Sequence, residues 1–442
     1  MSNTRYGVIE RKNLLRKTVR GLKKSATLVI NEQCNALKAQ GRDVFKLGLG
    51  QSPFPVPTSV VEALKEHAHE KDYLPVEGLF ALRSAVAEHH TRMNGVSIMP
   101  EGVLVGPGSK ELLFLLQLVF EGAIILPSPC WVSYRPQARI LGHSIKTIKT
   151  RFENTWKISA KDLKDLSLLQ ANPYTPKLFI LNYPSNPTGQ IYSAQELEEI
   201  SRVARKYNII ILSDEIYGRL TFNKTHTSIA TYYPEGTIIS SGLSKWCGAG
   251  GWRLGTFSFP NTLYALKEAM ATIASETYTS VSAPIQHAAI TAFKENSAID
   301  AYVADSVRIL HALGEWCALT LRNAGVRVHN PQGGFYVFCD FSELNDIIDK
   351  KGIFDDVELC ESILNKTGVA ILPGSDFERS PEELTARLAF VNFDGKRALD
   401  AVRNIPQKVP LTTDFLETYC GDTLKAVRRI VSWLSQEHER GA

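Results

Sequence analysis

From Val103 to about Phe259, short apolar runs rich in β-branched residues alternate with longer stretches of amphipathic pattern. This alternation is typical of a mostly parallel sheet covered by helices. The clearest predicted strands are LFILNY (178–183), NIIILS (208–213) and TIISS (237–241). Between the first two, Ser193 and Glu196 have the spacing of a capping box, which predicts a helix reaching Lys206.

Polar side chains follow each of these three strands. Asn186 comes after the first strand, Asp214 directly after the second and Lys245 shortly after the third. Ligands of open α/β sheets bind beyond the carboxyl ends of the strands. We therefore expect these three side chains to converge on one site.

The pattern changes after about residue 295 and predicts a second, smaller α+β domain. Its expected elements are a helix over 298–324, a hairpin over VRVHNPQGGFYVFCDF, a helix near 355–367, a strand VAILP and a closing helix over 423–436. KLGLGQSPFP, before residue 55, is interpreted as a strand and loop that enter the large domain. The predicted division is 1–55 (N-terminal part of the small domain), 56–309 (large domain) and 310–442 (C-terminal part of the small domain).

Composition adds little and excludes some partners. The 442 residues are 44% hydrophobic and 22% charged with a net charge of +4, which gives no reason to expect nucleic acid binding. No apolar run approaches the roughly 18 residues that span a membrane. Seven scattered cysteines favour reduced thiols and a cytoplasmic location, and the basic first 24 residues are interpreted as a solvated helix.

Lys245 lies in SSGLSKWCGAGGWRLG, among small residues that allow close approach to a ligand. A lysine amine forms a reversible imine with a carbonyl group, and pyridoxal 5′-phosphate is the common partner. Asp214 would pair with the pyridine nitrogen of that cofactor, and Asn186 and Tyr217 would bind its ring oxygen. Trp131 offers an aromatic face for the ring.

Two segments are candidates for the phosphate group. In VGPGSKELLFLL, Gly108 leads into a helix opened by Ser109, and free amides at a helix start bind anions. Ser244 and Arg253 lie around Lys245, and arginine supplies a permanent charge. Taken singly, each of these residues is more often a cap, a core residue or part of a loop. Their order along successive strand ends favours a site.

The motifs together resemble the class I pyridoxal-phosphate aminotransferases of fold type I, nearest the bacterial aspartate/prephenate branch. The resemblance covers about residue 25 to 395 and rests on GLGQSPFPVP, YLPVEGLFALR, GPGSKELLF, SPCWVSY, NYPSNPTGQIYS, LSDEIYGRL, SGLSKWCGAGGWRLG, GGFYVF, VAILPGSDF and ARLAF. It implies a large α/β domain with a mostly parallel seven-stranded sheet flanked by helices, and a homodimer.

The resemblance also implies roles for individual residues. Lys245 would hold the cofactor and move protons, and the main chain at Gly108, Ser109 and Lys110 would bind its phosphate with Arg253. The substrate carboxylate would be held by Arg387 together with Asn186 and the Gly50 backbone, while Tyr73 would reach the phosphate of the neighbouring subunit.

Two positions depart from the family pattern. Many relatives have a serine where this chain has Gly242, so Ser241 or Ser244 must supply that phosphate contact unless it is absent. Residues 400–420 are longer than the usual link before the last helix.

The implied reaction is a ping-pong transfer of the amino group of an L-amino acid to a 2-oxo acid such as 2-oxoglutarate. Lys110 could contact a distal carboxylate, which favours aspartate or glutamate, or could be only an exposed lysine at a helix start; aromatic donors stay open. The alternatives are a β-lyase or synthase that uses the same cofactor, and a non-catalytic ligand sensor.

Overall fold

The computed structural model describes residues 14–166, 169, 174–222 and 226–436. Its largest sheet has seven strands, in the spatial order β2 (Val103–Gly106), β8 (Gly255–Ser258), β7 (Thr237–Gly242), β6 (Ile209–Asp214), β5 (Lys177–Asn182), β3 (Ala123–Ser128) and β4 (Ile145–Lys149). Strand β8 is antiparallel to both of its neighbours, and the other pairs are parallel. The predicted mostly parallel sheet is therefore confirmed.

The central strands of this sheet are buried on both faces, as is usual for parallel sheets. Side chains alternate along each strand, so Leu178 and Ile180 of β5 pack in one apolar cluster, and Phe179 and Leu181 pack in another. The helices that cover the sheet and complete the fold are α1 (Ala26–Ala39), α2 (Thr58–Glu66), α3 (Phe80–Asn94), α4 (Ser109–Val119), α5 (Tyr134–Leu141), α6 (Ala160–Lys164), α7 (Ala194–Lys206), α8 (Tyr264–Ser275), α9 (Ala283–Phe293), α10 (Ser297–Asn323), α11 (Asn345–Lys350), α12 (Asp356–Thr367), α13 (Gly395–Val402) and α14 (Thr413–Ser435).

Two smaller sheets involve the ends of the chain. Strand β1 (Phe45–Lys46) pairs in parallel with β10 (Val369–Ala370), which ties the N-terminal segment to the C-terminal part. Strands β11 (Leu372–Pro373), β12 (Thr385–Ala389) and β9 (Tyr336–Asp340) form an antiparallel sheet in that order. Arg387 lies in the middle of β12.

Three expectations for the C-terminal part are wrong in detail. The predicted hairpin over 326–341 yields one strand, β9, because β12 is its partner and only the bridge between Arg327 and Asp340 joins its two arms. VAILP divides between β10 and β11, which belong to different sheets. The last helix extends further than expected: it begins at Thr413 and is kinked at Cys420, where φ and ψ are not helical, and its part after the kink matches the predicted helix from Thr423.

Other local predictions are confirmed. Ser193 and Glu196 form the capping box at the start of α7, where each side chain accepts a hydrogen bond from the backbone amide of the other residue. All seven cysteines are buried and unpaired. The solvated helix predicted for the first 24 residues falls partly outside the described residues. It is wrong for the described part, because from Leu14 to the start of α1 the chain has a short 3-10 turn at Lys17–Val19 and no α-helix. Every described helix is too short or too polar to cross a lipid bilayer.

Candidate active site

The register of the large sheet brings polar residues together at one edge. Asn182, Asp214 and Ser240 lie opposite one another at the ends of β5, β6 and β7. The Asn182 side-chain amide donates to the Asp214 carbonyl oxygen at 2.7 Å, and its oxygen accepts from the Asn186 backbone amide at 2.7 Å. Asn182 thus fixes the turn that carries Asn186 relative to the strand that carries Asp214.

A cavity of about 440 Å³ lies at this edge, a size typical of small-molecule sites. Eleven of the predicted site residues line it: Gly50, Ser109, Lys110, Trp131, Asn186, Asp214, Tyr217, Ser244, Lys245, Arg253 and Arg387. The expected convergence of Asn186, Asp214 and Lys245 is therefore observed.

Lys245 presents a partly buried amine to the cavity. Its Nζ donates to the Gly50 carbonyl oxygen at 2.7 Å and lies 5.5 Å from the centre of the Tyr217 ring. Burial, and next the positive charge of Arg387, lower the pKa of Lys245 to about 8, while Asp214 opposes the shift. The amine is therefore partly neutral near physiological pH, as a nucleophile or proton acceptor must be.

Asp214 is a buried carboxylate with both oxygens engaged. Oδ2 accepts from the Tyr134 hydroxyl at 2.6 Å, and Oδ1 accepts from the Ser240 hydroxyl at 3.1 Å. Burial raises the pKa of Asp214, and the hydrogen bonds from Tyr134 and Ser240 act in the opposite direction.

Arg387 reaches the cavity from the second sheet and is only 1% exposed. One terminal nitrogen donates to Asn186 Oδ1 at 3.0 Å, and the other donates to the Gly48 carbonyl oxygen. Its guanidinium lies over the rings of Tyr336 and Phe377, at 4.6 and 4.9 Å from their centres. These contacts present a charged fork at the cavity wall, suited to a carboxylate.

Tyr217 and Tyr336 form a pair of buried phenols beside this arginine. Their hydroxyl oxygens lie 2.8 Å apart, and burial raises the pKa of Tyr217 well above its ordinary value. A side chain at residue 50 would collide with the Tyr336 hydroxyl. Because this residue is glycine, the backbone whose carbonyl oxygen accepts from Lys245 can lie close to Tyr336.

The other end of the cavity is the start of α4. Gly108, with φ of +89°, precedes the helix, and a side chain there would collide with the Arg253 guanidinium. Arg253 itself has φ of +55°, a left-handed conformation that is unusual for arginine and concentrates at functional sites. The first amides of α4, Ser109 and Lys110 among them, have no acceptor within the helix, so together with Arg253 they can bind an anion.

Lys110 and Trp131 form the remaining wall. The Lys110 amine lies 5.0 Å from the centre of the Trp131 ring. Burial, with the charge of Arg253, lowers the pKa of Lys110. Lys110 lines the cavity, so it is more than an exposed lysine at a helix start.

Two predicted residues lie elsewhere. Ser241 lines a separate cavity with His90 and Glu215, because neighbouring residues of β7 point to opposite faces, so it cannot replace the serine contact. Ser244 lines the candidate site instead. Tyr73 is 89% exposed and outside the cavity of its own chain.

The close packing around Gly242 accounts for the absence of a serine at this position. A Cβ there would lie 2.8 Å from the Leu254 carbonyl oxygen and 3.0 Å from the Gly255 Cα. The neighbouring strand β8 therefore leaves no room for a side chain without a backbone shift.

Sequence reasoning missed several residues of the site. Tyr134, Asn182 and Tyr336 line the cavity, and Ser240 and Gly48 act through hydrogen bonds to Asp214 and Arg387. The first three lie inside the motifs SPCWVSY, NYPSNPTGQIYS and GGFYVF, so their polar groups at strand or helix ends were a usable signal.

Fold and cavity together define an α/β protein with a partly neutral lysine, a buried carboxylate and a buried arginine around a site for a small anion. The sequence matches the family model of class I and II aminotransferases over residues 42–393. The chain belongs to this family, and it is therefore a transaminase, an enzyme that moves an amino group between an amino acid and a 2-oxo acid.

Individual relatives agree with this assignment. The chain is 35% identical to an aspartate aminotransferase of Bacillus sp. (strain YM-2), over 83% of this chain and 92% of that protein. It is 31% identical to the aspartate/prephenate aminotransferase of Thermus thermophilus, over 82% and 91%. The structure of T. thermophilus aspartate aminotransferase with maleate is similar with a TM-score of 0.80 and 28% identity, over 95% and 99%. The family resemblance seen in the motifs is thus confirmed.

The low pKa of Lys245 generates a prediction that needs no bound ligand. In the ligand-free protein, labelling of Lys245 by trinitrobenzenesulfonate should have a pH midpoint near 8, because only the neutral amine reacts. Arg387→Met should raise the midpoint by removing a repelling charge, and Asp214→Asn should lower it by removing an attracting one. Mass spectrometry of the Lys245 peptide measures the labelling, and a midpoint above 10 would contradict the prediction.

Proposed function

We propose that Lys245 binds pyridoxal 5′-phosphate and that the enzyme transfers the amino group of aspartate or glutamate to a 2-oxo acid such as 2-oxoglutarate. The observation that carries this proposal is the placement of Arg387 and Lys245 in one cavity. A buried guanidinium suits the α-carboxylate of an amino acid, and a partly neutral amine suits the removal of its α-proton.

The cavity fits this cofactor at each of its groups. Asp214 offers a buried carboxylate to a ring nitrogen, and Trp131 offers a face to the ring. Asn186 and Tyr217 have donors for a ring oxygen. Because residue 108 is glycine, the Arg253 guanidinium can lie close to the start of α4, and this guanidinium, the first amides of α4 and Ser244 together suit a phosphate.

When bound, the cofactor supplies a carbonyl carbon for amines and a conjugated ring that withdraws electrons. The protein's part is to position and to move protons. Arg387 and Asn186 fix the substrate carboxylate, which leaves the α-hydrogen in one orientation. Lys245 Nζ accepts the α-proton and later returns a proton, and its pKa of about 8 favours both directions near neutral pH.

The charges of the cavity support an acidic substrate. Among its described lining residues, Lys110, Lys245, Arg253 and Arg387 are cationic, and Asp214 is the one carboxylate. Lys110 lies at the Trp131 wall, where it can pair with a distal carboxylate. The names of the relatives, and the dicarboxylate maleate in the T. thermophilus structure, favour the same class. Aromatic donors stay a second possibility because Trp131 and Tyr336 give the cavity apolar surface.

We also infer a cytoplasmic homodimer with the predicted division at residues 55 and 309. The support for the dimer is Tyr73, whose ring is almost fully exposed in a motif that crosses to the neighbouring subunit in the family it resembles. Pairing of β1 with β10 supports a small domain made of both chain ends.

A β-lyase or a synthase with the same cofactor is the rival within this class. Such an enzyme would keep every residue around the cofactor and differ in the products, since a lyase releases ammonia and pyruvate. A non-catalytic sensor is the rival outside the class, and it would bind amino acids without turnover.

The first test is a panel of amino donors with 2-oxoglutarate as acceptor. The purified protein should gain a visible absorbance band with pyridoxal 5′-phosphate and form 2-oxo acid and glutamate, fastest from aspartate. Lys245→Ala should lower kcat by roughly a thousandfold or more, because it removes the proton carrier. Absence of the band would sink the cofactor assignment, and release of ammonia would indicate a lyase.

A second test addresses Lys110. Lys110→Met should lower kcat/KM for aspartate by roughly tenfold to a hundredfold, the value of a charge-assisted hydrogen bond, and change kcat/KM for phenylalanine little. Lys206→Met, on the exposed surface of α7, is the matched control and should change neither. Equal losses for both donors would argue that Lys110 does not read the substrate side chain.

A third test uses mixed dimers. Tyr73→Ala and Lys245→Ala should each be nearly inactive, because one lacks a phosphate contact and the other lacks the proton carrier. If Tyr73 serves the neighbouring subunit, a mixture refolded together contains hybrids in which one site has both lesions and the other has none. Activity should then exceed that of either variant alone. No recovery in hybrids shown to form would contradict the shared site.

A further inference from the structure

The carboxylate of Asp214 is held by a side chain that no sequence pattern assigned. Tyr134 is the first residue of α5, and its side chain is 1% exposed. Its hydroxyl donates to Asp214 Oδ2 at 2.6 Å, shorter than the 3.1 Å bond from Ser240 to the other oxygen. Tyr134 is therefore the closer of two side-chain donors to a buried anion.

We propose that Tyr134 is a positioning residue that keeps Asp214 ionised and aimed at the cofactor ring, an inference that rests on the proposed function. Two observations support it besides the short bond. The Tyr134 ring meets the Trp131 ring edge to face, with centres 5.3 Å apart, and the Tyr134 amide donates to the Trp131 carbonyl oxygen at 3.1 Å. One residue thus connects the carboxylate to the aromatic wall.

The direction of proton sharing follows from the environment. Burial and the charge of Asp214 raise the pKa of Tyr134 far above the working pH, so its phenol always donates. Burial alone would raise the pKa of Asp214, and the donated hydrogen bond counters that shift. Without this bond, Asp214 competes better for the proton that it shares with the ring nitrogen of the cofactor.

A ring that loses its positive charge withdraws fewer electrons, and the nitrogen that links it to Lys245 then becomes more basic. The visible absorbance of the loaded enzyme reports protonation of that nitrogen. Tyr134→Phe should therefore raise the pH midpoint of the absorbance change by about half to one unit. It should also weaken cofactor binding by roughly tenfold, because a hydrogen bond to a charged group is lost.

The experiment compares three variants as loaded enzymes. Ser240→Ala should raise the midpoint in the same direction by less, since its bond to Asp214 is longer. Tyr192→Phe is the matched control: Tyr192 is also a buried tyrosine, but its hydroxyl accepts from the Ile158 amide at 3.2 Å, outside the cavity. Tyr192→Phe should lower the midpoint of thermal unfolding without moving the pH midpoint of the absorbance change.

The outcomes separate this inference from the proposed function. A wild-type protein that takes up no cofactor refutes the proposed function. A wild-type protein that binds it, with an unchanged pH midpoint and affinity in Tyr134→Phe, overturns the role of Tyr134. If Tyr134→Phe does not fold, Ser240→Ala decides: a raised midpoint supports control by donors to Asp214, and an unchanged one overturns it.

Discussion

The site depends on one buried carboxylate at the end of a central strand. An ionised Asp214 in an apolar sheet is costly unless hydrogen bonds compensate, and two hydroxyls and an adjacent backbone amide supply them. These donors are in place because β5, β6 and β7 end in register and because α5 starts beside them. Shifting any of these strands by one residue would turn Asp214 or Ser240 to the other face, as Ser241 shows.

A second constraint joins the two sheets across the cavity. Arg387 belongs to β12, yet its donors reach Asn186 beyond β5 and the Gly48 carbonyl oxygen beyond β1. Lys245, beyond β7, donates to the carbonyl oxygen of Gly50 in the same loop. The loop after β1 is thus held between the lysine of one sheet and the arginine of the other. Its conformation connects the amine to the group that would fix a substrate.

Local patterns along the chain were enough to predict the central strands, the capping box of α7 and the convergence of Asn186, Asp214 and Lys245. Each of these depends on apolar periodicity or on where a strand ends. The C-terminal hairpin failed because β9 pairs with a strand almost fifty residues later in the chain, a preference that local pattern does not contain. The predicted phosphate contact of Ser241 failed for a related reason: successive side chains of a strand point to opposite faces of the sheet, so Ser241 faces away from the site. Tyr134 and Tyr336 lie in recognised motifs at the start of a helix and of a strand, but their roles depend on tertiary contacts, and apolar periodicity alone does not distinguish them from core aromatics.

The charges around Lys245 also link its proton affinity to whatever binds beside it. Arg387, Arg253 and Lys110 each lower the pKa of this amine, and Asp214 alone among the named charges raises it. An anion paired with Arg387 cancels the largest of these repulsions, so the amine holds a proton more firmly with that anion bound than without it. A dicarboxylate that also pairs with Lys110 acts twice in this direction. An acidic substrate would therefore do more than fill the cavity: its own charge would help Lys245 to keep the proton that it accepts.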